Sequence, residues 1–383
     1  MQESIRILHI DTEPVWKGGQ QQAIYLYEYL LANGYVTTFV CRPDSELARY
    51  CDRHGLPYQT TGLWNELDLY SAKHIARFAR AHGYNILHLH SGHALSIGLL
   101  TKLFYRKLVL VGVRRVDFSV DKHFLSRWKY SNRYLDAIVC VSAAIRDVLL
   151  RDGIPPEKIE VIHSGVDTEK FRAAIPPESY RSRLGIPEKA ILVGTVASLV
   201  DHKDYPTLLK AARIVTQQHD NIYFCAAGDG EMEKDLKAMY DGLGLGDRFR
   251  FLGFRQDIGE LLNTLDIFVL ASKMEGLGTS VLDAMAVELP VIGTRAGGIP
   301  EMVDDGETGY LVPPQKPEAL ANRIIDLAEN PQLQERFGQA GRQKVRQFSM
   351  EKTASRNIEL YRRLVSTREP AHSSGHREET APF

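Results

Sequence analysis

Short apolar runs alternate with helical periodicities along nearly the whole chain, and this alternation leaves few folds open. IRILHI (5–10), VTTFVC (36–41), NILHLH (85–90), KLVLVGV (107–113), AIVCVS (137–142) and KIEVIHSGVD (158–167) form a first series, with helical stretches between them. After residue 170 the chain changes character in RAAIPPESYRSRLGIPEKA, whose prolines and charges suit an interdomain connection. A second series follows: AILVGTVA (190–197), NIYFCAAGDG (221–230), FRFLGF (249–254), DIFVLAS (266–272), PVIGT (290–294) and GYLVPP (309–314). Strand, loop and helix repeated in this way predict an α/β chain of two doubly wound parallel sheets. Such sheets bind ligands outside the carboxyl ends of their strands, so two of them face one another across a cleft. The expected boundaries are 1–172 for the first domain and 173–349 for the second. An amphipathic helix at about 350–366 rejoins the first domain, and 367–383 is a tail too polar to pack.

Charge and cysteine usage narrow the function. The 383 residues carry 47 Lys and Arg against 48 Asp and Glu, a net charge of −1, which argues against a general nucleic-acid binder. Locally, residues 99–133 carry Lys102, Arg106, Lys107, Arg114, Arg115, Lys122, Arg127, Lys129 and Arg133 against only Asp117 and Asp121, with Phe104, Tyr105, Phe118, Phe124, Trp128 and Tyr130 interleaved. That stretch reads either as a solvated helical face with aromatic core contacts or as a peripheral contact for an anionic membrane or acceptor. Four cysteines without C-x-x-C pairing read as reduced thiols of a cytoplasmic protein, peripheral at most to the inner face of a membrane. The N-terminal residues do not form a signal peptide, and no apolar window reaches the length of a spanning helix.

The loops after strands hold the chemistry. In EGLGTSVLD (275–283), Glu275 precedes Gly276, Leu277 and Gly278, and a helix opens near Thr279. The glycines let the backbone approach a ligand, and free N–H groups at a helix start favour an anion. Glu275 and Asp283 are suited to gripping vicinal hydroxyls by charge-assisted hydrogen bonds. Ser280-x-x-Asp283 reads equally as a capping box, and Glu275 as a solvated loop acid. His88, His90 and His93 form H-x-H-x-x-H at a strand end. Without a nearby carboxylate or thiol to complete a ligand set, they fit a cleft lining better than a metal site. No G-x-G-x-x-G follows the first strand of either series, which argues against a dehydrogenase.

These segments resemble the retaining glycosyltransferases of family 4, whose GT-B fold pairs two Rossmann-like domains. The likeness runs from Gly18-Gly19 through VIHSGVD, GDGEMEKDL and FLGF to TRAGGIPEMV. In that family an E-x7-E pattern puts its first Glu on the donor hexose and its second on the ribose; here the positions are Glu275 and Asp283. The resemblance further implies that Gly297 and Gly298 receive the donor diphosphate, that Gly18 and Gly19 approach the transferred sugar and phosphate, and that Gly228 and Gly230 lie near the base. Where the family has G-R-L-x-x-x-K-G, this chain reads A-S-L-V-D-H-K-D (197–204), keeping Lys203 but replacing Arg by Ser198. Arg295, His202 and Arg115 are candidates for the missing charge. Arg115 also stands near the place of a family His, where it cannot act as a base and is expected to bind an anionic acceptor or the donor phosphate; His90 or His93 is expected to line the acceptor cleft.

The resemblance therefore implies metal-free transfer of a hexose, with retention, from a nucleoside diphosphate sugar to a hydroxyl of a glycan or lipid-linked acceptor. UDP is favoured over GDP or ADP, and the setting is surface polysaccharide, lipopolysaccharide or glycolipid synthesis. No resident cofactor is implied. A nucleotide-sugar epimerase and a non-catalytic nucleotide-sugar-binding subunit are the alternatives.

Overall fold

The computed structural model describes residues 5–121, 124–171 and 177–368. Seven parallel strands make the first sheet: β1 (Arg6–Ile10), β2 (Val36–Cys41), β3 (Tyr58–Thr60), β4 (Ile86–Leu89), β5 (Val109–Arg114), β6 (Ala137–Cys140) and β7 (Ile159–Val161), in the order β3-β2-β1-β4-β5-β6-β7. Six form the second: β8 (Ile191–Val196), β9 (Ile222–Ala227), β10 (Phe249–Gly253), β11 (Ile267–Leu270), β12 (Val291–Thr294) and β13 (Gly309–Val312), in the order β10-β9-β8-β11-β12-β13. The central strands are buried on both faces, as their unbroken apolar runs require when helices cover each side.

The strand order reverses between β1 and β4 in the first sheet and between β8 and β11 in the second. The loops leaving these four strands open the two crevices, so Asp11–Gly19, His90–His93, Ala197–Asp204 and Ala271–Thr279 fall where a ligand binds an open parallel sheet.

The chain ends back on the first sheet. Ser349 caps the helix Met350–Ser366, accepting from the backbone N of Lys352, and Val166 pairs with Ser349. Tyr361 on that helix is fully buried and reaches His88 on β4, while Arg363 pairs with Glu160 on β7. Of the expected tail, residues 369–383 lie outside the described residues.

Several elements differ from the sequence expectation. The run at 107–113 becomes a strand only from Val109, and 158–167 yields only the three residues of β7 before the chain turns. The edge strand β3 is too short to leave a period in the sequence. The basic stretch is not a uniformly solvated face. Lys102, Arg114 and Lys129 are buried: Lys102 donates to the carbonyl of Leu108, Arg114 stacks on Tyr130 at 4.9 Å, and Lys129 pairs with Glu66 at 3.0 Å. Burial pushes the Lys102 ammonium down to about 8. Among the described residues, no helix is long and apolar enough to cross a membrane. All four cysteines are free and buried.

Candidate functional site

The loop leaving β11 and the loop leaving β8 meet at one ion pair. Glu275 is 8% exposed, and its Oε2 accepts from the Lys203 ammonium and, at 3.0 Å, from the Ser272 hydroxyl. Lys203 ends a tight turn, Asp201–Lys203, just before the helix Tyr205–Gln218. The sequence places these two side chains 72 residues apart; the adjacency of β8 and β11 brings them together. A carboxylate and an ammonium desolvated side by side are a poised pair. The ammonium can exchange this carboxylate for an anionic ligand group, and the carboxylate can exchange the ammonium for ligand hydroxyl donors, so neither is left bare in a low-dielectric site.

Glycine lets a second loop press on this one. Gly297 has φ +50°, and a Cβ there would lie 1.7 Å from the carbonyl oxygen of Glu275. Gly298 donates its N–H to that carbonyl at 3.1 Å. The Gly297-Gly298 turn, with the helix Ile299–Met302 after it, is thus packed directly under Glu275. Leu277 is buried, and Gly278, at φ +90°, starts the helix Thr279–Ala286.

That helix start carries no side-chain cap, so the capping-box alternative for Asp283 is not realised. Asp283 is instead half-buried in the body of the helix, opposite Lys170 and Tyr25, which bond to each other at 2.9 Å. Burial pushes its carboxyl up to about 7, against the pull of the Lys170 ammonium. A carboxyl raised above its ordinary 3.8 favours folding most below that value, and the benefit is lost as pH rises through 7. Asp283→Asn should therefore raise the melting temperature at pH 8, by about 1–2 kcal/mol of stability, and leave it unchanged near pH 4. Thermal unfolding at the two pH values checks this.

Gly228 and Gly230 leave β9 beside the loop after β8, where Leu199 N donates to Asp229 O at 2.7 Å and Met232 N to Leu199 O at 3.0 Å. They buttress the loop that carries Ser198, which is exposed, and Lys203. Of the three candidates for the missing charge, Arg295 is held by Asp305 at 2.5 Å. Burial, with the Lys203 ammonium beside it, moves the His202 imidazole down from its ordinary value, so it stays neutral at pH 7. Arg115 remains.

Arg115 arrives from the loop after β5 of the first sheet. Its Cδ lies 3.4 Å from where a Gly19 side chain would begin, and its carbonyl oxygen would be 2.0 Å from a Cβ on Gly276. Gly18 and Gly19 open the helix Gly18–Ala32, so its free N–H groups stand beside the guanidinium. Asp117, two residues on, accepts from the backbone N of Glu275 at 3.0 Å, and Phe118 meets His202 edge-on at 6.0 Å. Each lip of the cleft touches the other here.

Behind Arg115 lies a histidine cluster that the sequence showed only in part. His9 on β1 joins His88 and His90, and one nitrogen of each lies within 4.8 Å of the others; His93 is not in the group. Arg115 Nη2 is 3.3 Å from His90 Nδ1, and His90 Nε2 is 2.9 Å from His9 Nδ1. A guanidinium only donates, so His90 Nδ1 accepts, its Nε2 carries the hydrogen, and His9 Nδ1 accepts in turn. Burial pushes His9 down to about 3 and His88 and His90 well below their ordinary value. All three are neutral at physiological pH. Both nitrogens of His90 are thus engaged in a directed chain from Arg115 to His9. His9 Nε2 and His88 Nε2 are buried without a hydrogen-bond partner among the described residues, and His90 is set behind the cleft rather than at its surface.

Sequence reasoning missed His9, Ser272 and Asp117. His9 lies one position from the end of an apolar run, a signal readable only once β1 and β4 are known to be neighbours. Asp117 bonds a residue 158 positions away, and nothing local announces it.

Comparison with known proteins agrees with this architecture. Residues 16–170 match the family model described as Glycosyltransferase Family 4, and residues 177–344 match Glycosyl transferases group 1. EpsD of Bacillus subtilis, described as a glycosyltransferase, is 30% identical over 295 residues, covering 73% of this chain and 76% of that one. The UDP-Gal:alpha-D-GlcNAc-diphosphoundecaprenol alpha-1,3-galactosyltransferase of Escherichia coli is 24% identical over 378 residues, 94% of this chain and 97% of its own. Among solved structures, Anabaena HepE in complex with UDP superposes with a TM-score of 0.82 at 22% identity, over 93% of this chain and 99% of that one. A glycosyltransferase from Rickettsia africae superposes with a TM-score of 0.84 at 21% identity, over 95% and 99%. With two facing parallel sheets, a site at their switch points and these matches over both halves, the chain belongs to the family 4 type of glycosyltransferases and has the GT-B fold.

Proposed function

We propose that the chain transfers a hexose-type residue, with retention, from a nucleoside diphosphate sugar to an acceptor hydroxyl. The observation that carries this reading is the buried Lys203–Glu275 pair, set over the Gly297-Gly298 turn at the β8/β11 crevice. A donor exchanges that pair for ligands of its own: the diphosphate takes the Lys203 ammonium, and hexose hydroxyls donate to the Glu275 carboxylate. Arg115 supplies the second positive charge from the opposite lip, in place of the arginine that Ser198 lacks. Asp283 is the candidate for the ribose hydroxyls. UDP is the favoured nucleotide, a reading encouraged by the UDP and UDP-glucose complexes of HepE.

In the proposed step the bond between the anomeric carbon and the β-phosphate oxygen breaks. The acceptor oxygen bonds to the same face of that carbon, and its proton passes to the departing phosphate oxygen. No enzymic base is needed, so the protein's work is positioning and electrostatic stabilisation of the leaving diphosphate. Lys203, Arg115 and the N–H of Gly297 share that task without a metal, while the Gly298 N–H holds the Glu275 carbonyl. The acceptor is a glycan or lipid-linked glycan hydroxyl in surface polysaccharide, lipopolysaccharide or glycolipid synthesis. The diphosphoundecaprenol-linked acceptor in the name of the Escherichia coli relative supports this choice. In this reading the protein works at the inner face of a membrane, in peripheral contact with it.

The two alternatives separate in the same experiment. Thermal unfolding with a panel of UDP-, GDP- and ADP-sugars should show stabilisation by one nucleotide class, about 2.7 kcal/mol at a hundred times its dissociation constant. No response to any member would overturn the proposal. Stabilisation followed by free sugar release without acceptor favours an epimerase-type reaction. Stabilisation without turnover on any acceptor favours a binding subunit.

A further inference from the structure

The glycine turn under Glu275 continues into an acid whose partners all belong to the first domain. Glu301 Oε2 accepts from the backbone N of Ala143 at 2.9 Å, and its Oε1 from the N of Ala144 at 3.0 Å. His163 Nε2 lies 2.7 Å from the same Oε2. Ala143 and Ala144 are the first two residues of the helix Ala143–Arg151, whose own cap, Ser142, accepts from Ile145 N. One carboxylate from the second domain thus satisfies two of the helix's orphan donors and meets its positive end. These partners hold the Glu301 carboxyl below its ordinary range despite half burial.

The contact is rigid on both sides. Glu301 sits in the helix Ile299–Met302, three residues past Gly298, so its place is set by the turn assigned above to the donor diphosphate. A Cβ on Gly298 would lie 3.0 Å from the Ser142 Cβ, and one on Gly276 would lie 3.6 Å from Ile145 Cδ1. The same helix start that receives Glu301 is therefore packed on the donor loops.

We propose that Glu301 is a positioning residue that locks the first domain onto the donor loops, keeping Arg115 and Gly19 opposite the leaving diphosphate. Its role in transfer rests on the function proposed above, but the lock itself can be read without any donor. Its carboxylate touches no reacting atom in this scheme. Loss of the lock leaves the second-domain ligands of the donor in place while the first domain swings free.

Spin labels at Lys73→Cys and Lys234→Cys, exposed positions one per domain, report the closure of the full chain, since the native cysteines are buried. Glu301→Gln should broaden and lengthen the interdomain distance distribution in the free protein. It should also lower kcat about tenfold while the donor dissociation constant moves less than about threefold. Ala143→Pro provides a second, independent break. It removes one N–H at the first helical position, where proline is tolerated and where Ser142 already has the extended backbone a proline requires. It should reproduce the distance change with Glu301 intact. Wild-type distances in both variants would overturn the lock. So would a fall in melting temperature and donor affinity together with unchanged distances, because that pattern belongs to a local structural role. Failure of the wild type to bind any nucleoside diphosphate sugar would instead sink the proposed function, with the donor-free distances still deciding the lock.

Discussion

Glu275→Gln should lower kcat/KM for sugar transfer by about 100-fold, the loss of roughly 2–3 kcal/mol that follows when hydrogen bonds to a buried charged group become neutral ones. The amide still accepts from Lys203 and from Ser272, so the loop keeps its shape and far-ultraviolet circular dichroism should match the wild type. What changes is the carboxylate's grip on hexose hydroxyls and the balance of charge around Lys203. Initial rates at saturating acceptor measure it. A variant as fast as wild type would mean that Glu275 is no more than the structural partner of Lys203.

Gly297→Ala should be more damaging to donor binding. Its Cβ would lie 1.7 Å from the Glu275 carbonyl oxygen and 2.6 Å from the carbonyl carbon, backbone atoms that cannot swing aside. The left-handed φ of +50° adds about 1–2 kcal/mol of strain for any residue with a side chain. Relief requires the Glu275 loop and the Gly297-Gly298 turn to part, which pulls the hexose and diphosphate ligands away from each other. Donor affinity should fall by at least about 100-fold, the range in which small misplacements of positioning groups act. Gly306→Ala is the control. Its φ is +81°, but open space surrounds the site of its Cβ, so it should carry backbone strain alone and bind donor normally. Equal affinity in the two alanine variants, measured by calorimetric titration, would show that the close approach under Glu275 has no bearing on the ligand.

The architecture was legible because both sheets are parallel and covered, so their strands are written as unbroken apolar runs with loops between them. IRILHI, VTTFVC and PVIGT needed no tertiary context. Segment ends were less legible: Lys107 and Leu108 extend an apolar run in sequence but precede β5 in space. Within the site, Glu275 stood out because it follows a strand and precedes two glycines, whereas Lys203 and the Gly297-Gly298 turn were marked by the family resemblance. Pairings were marked by neither. Nothing near Asp117 in sequence marks it as the acceptor of an N–H 158 residues away, and Glu301 in TRAGGIPEMV gave no sign that its partners lie in the other domain.

Charge was the least legible property. Lys102, Arg114 and Lys129 look in sequence like members of a solvated basic face. Yet each is buried on a carbonyl, an aromatic ring or a carboxylate that only the fold supplies. Asp283 shows the converse. Ser280 three residues before it satisfies the spacing of a capping box, but the helix starts one residue earlier, at Thr279, and the carboxyl is left half-buried in the helix body. Spacing identified the residue without revealing its environment, and the environment decides its protonation.

The central claim is that an activated sugar sits at the β8/β11 crevice and takes over both members of the Lys203–Glu275 pair. A crystal structure of the wild-type chain with its stabilising nucleoside diphosphate sugar tests this most directly. The account predicts the Lys203 ammonium on the diphosphate, the Glu275 carboxylate on hexose hydroxyls, and Arg115 facing the leaving group from the other lip. Nucleotide bound elsewhere, or bound in the crevice with Lys203 still on Glu275, would contradict it.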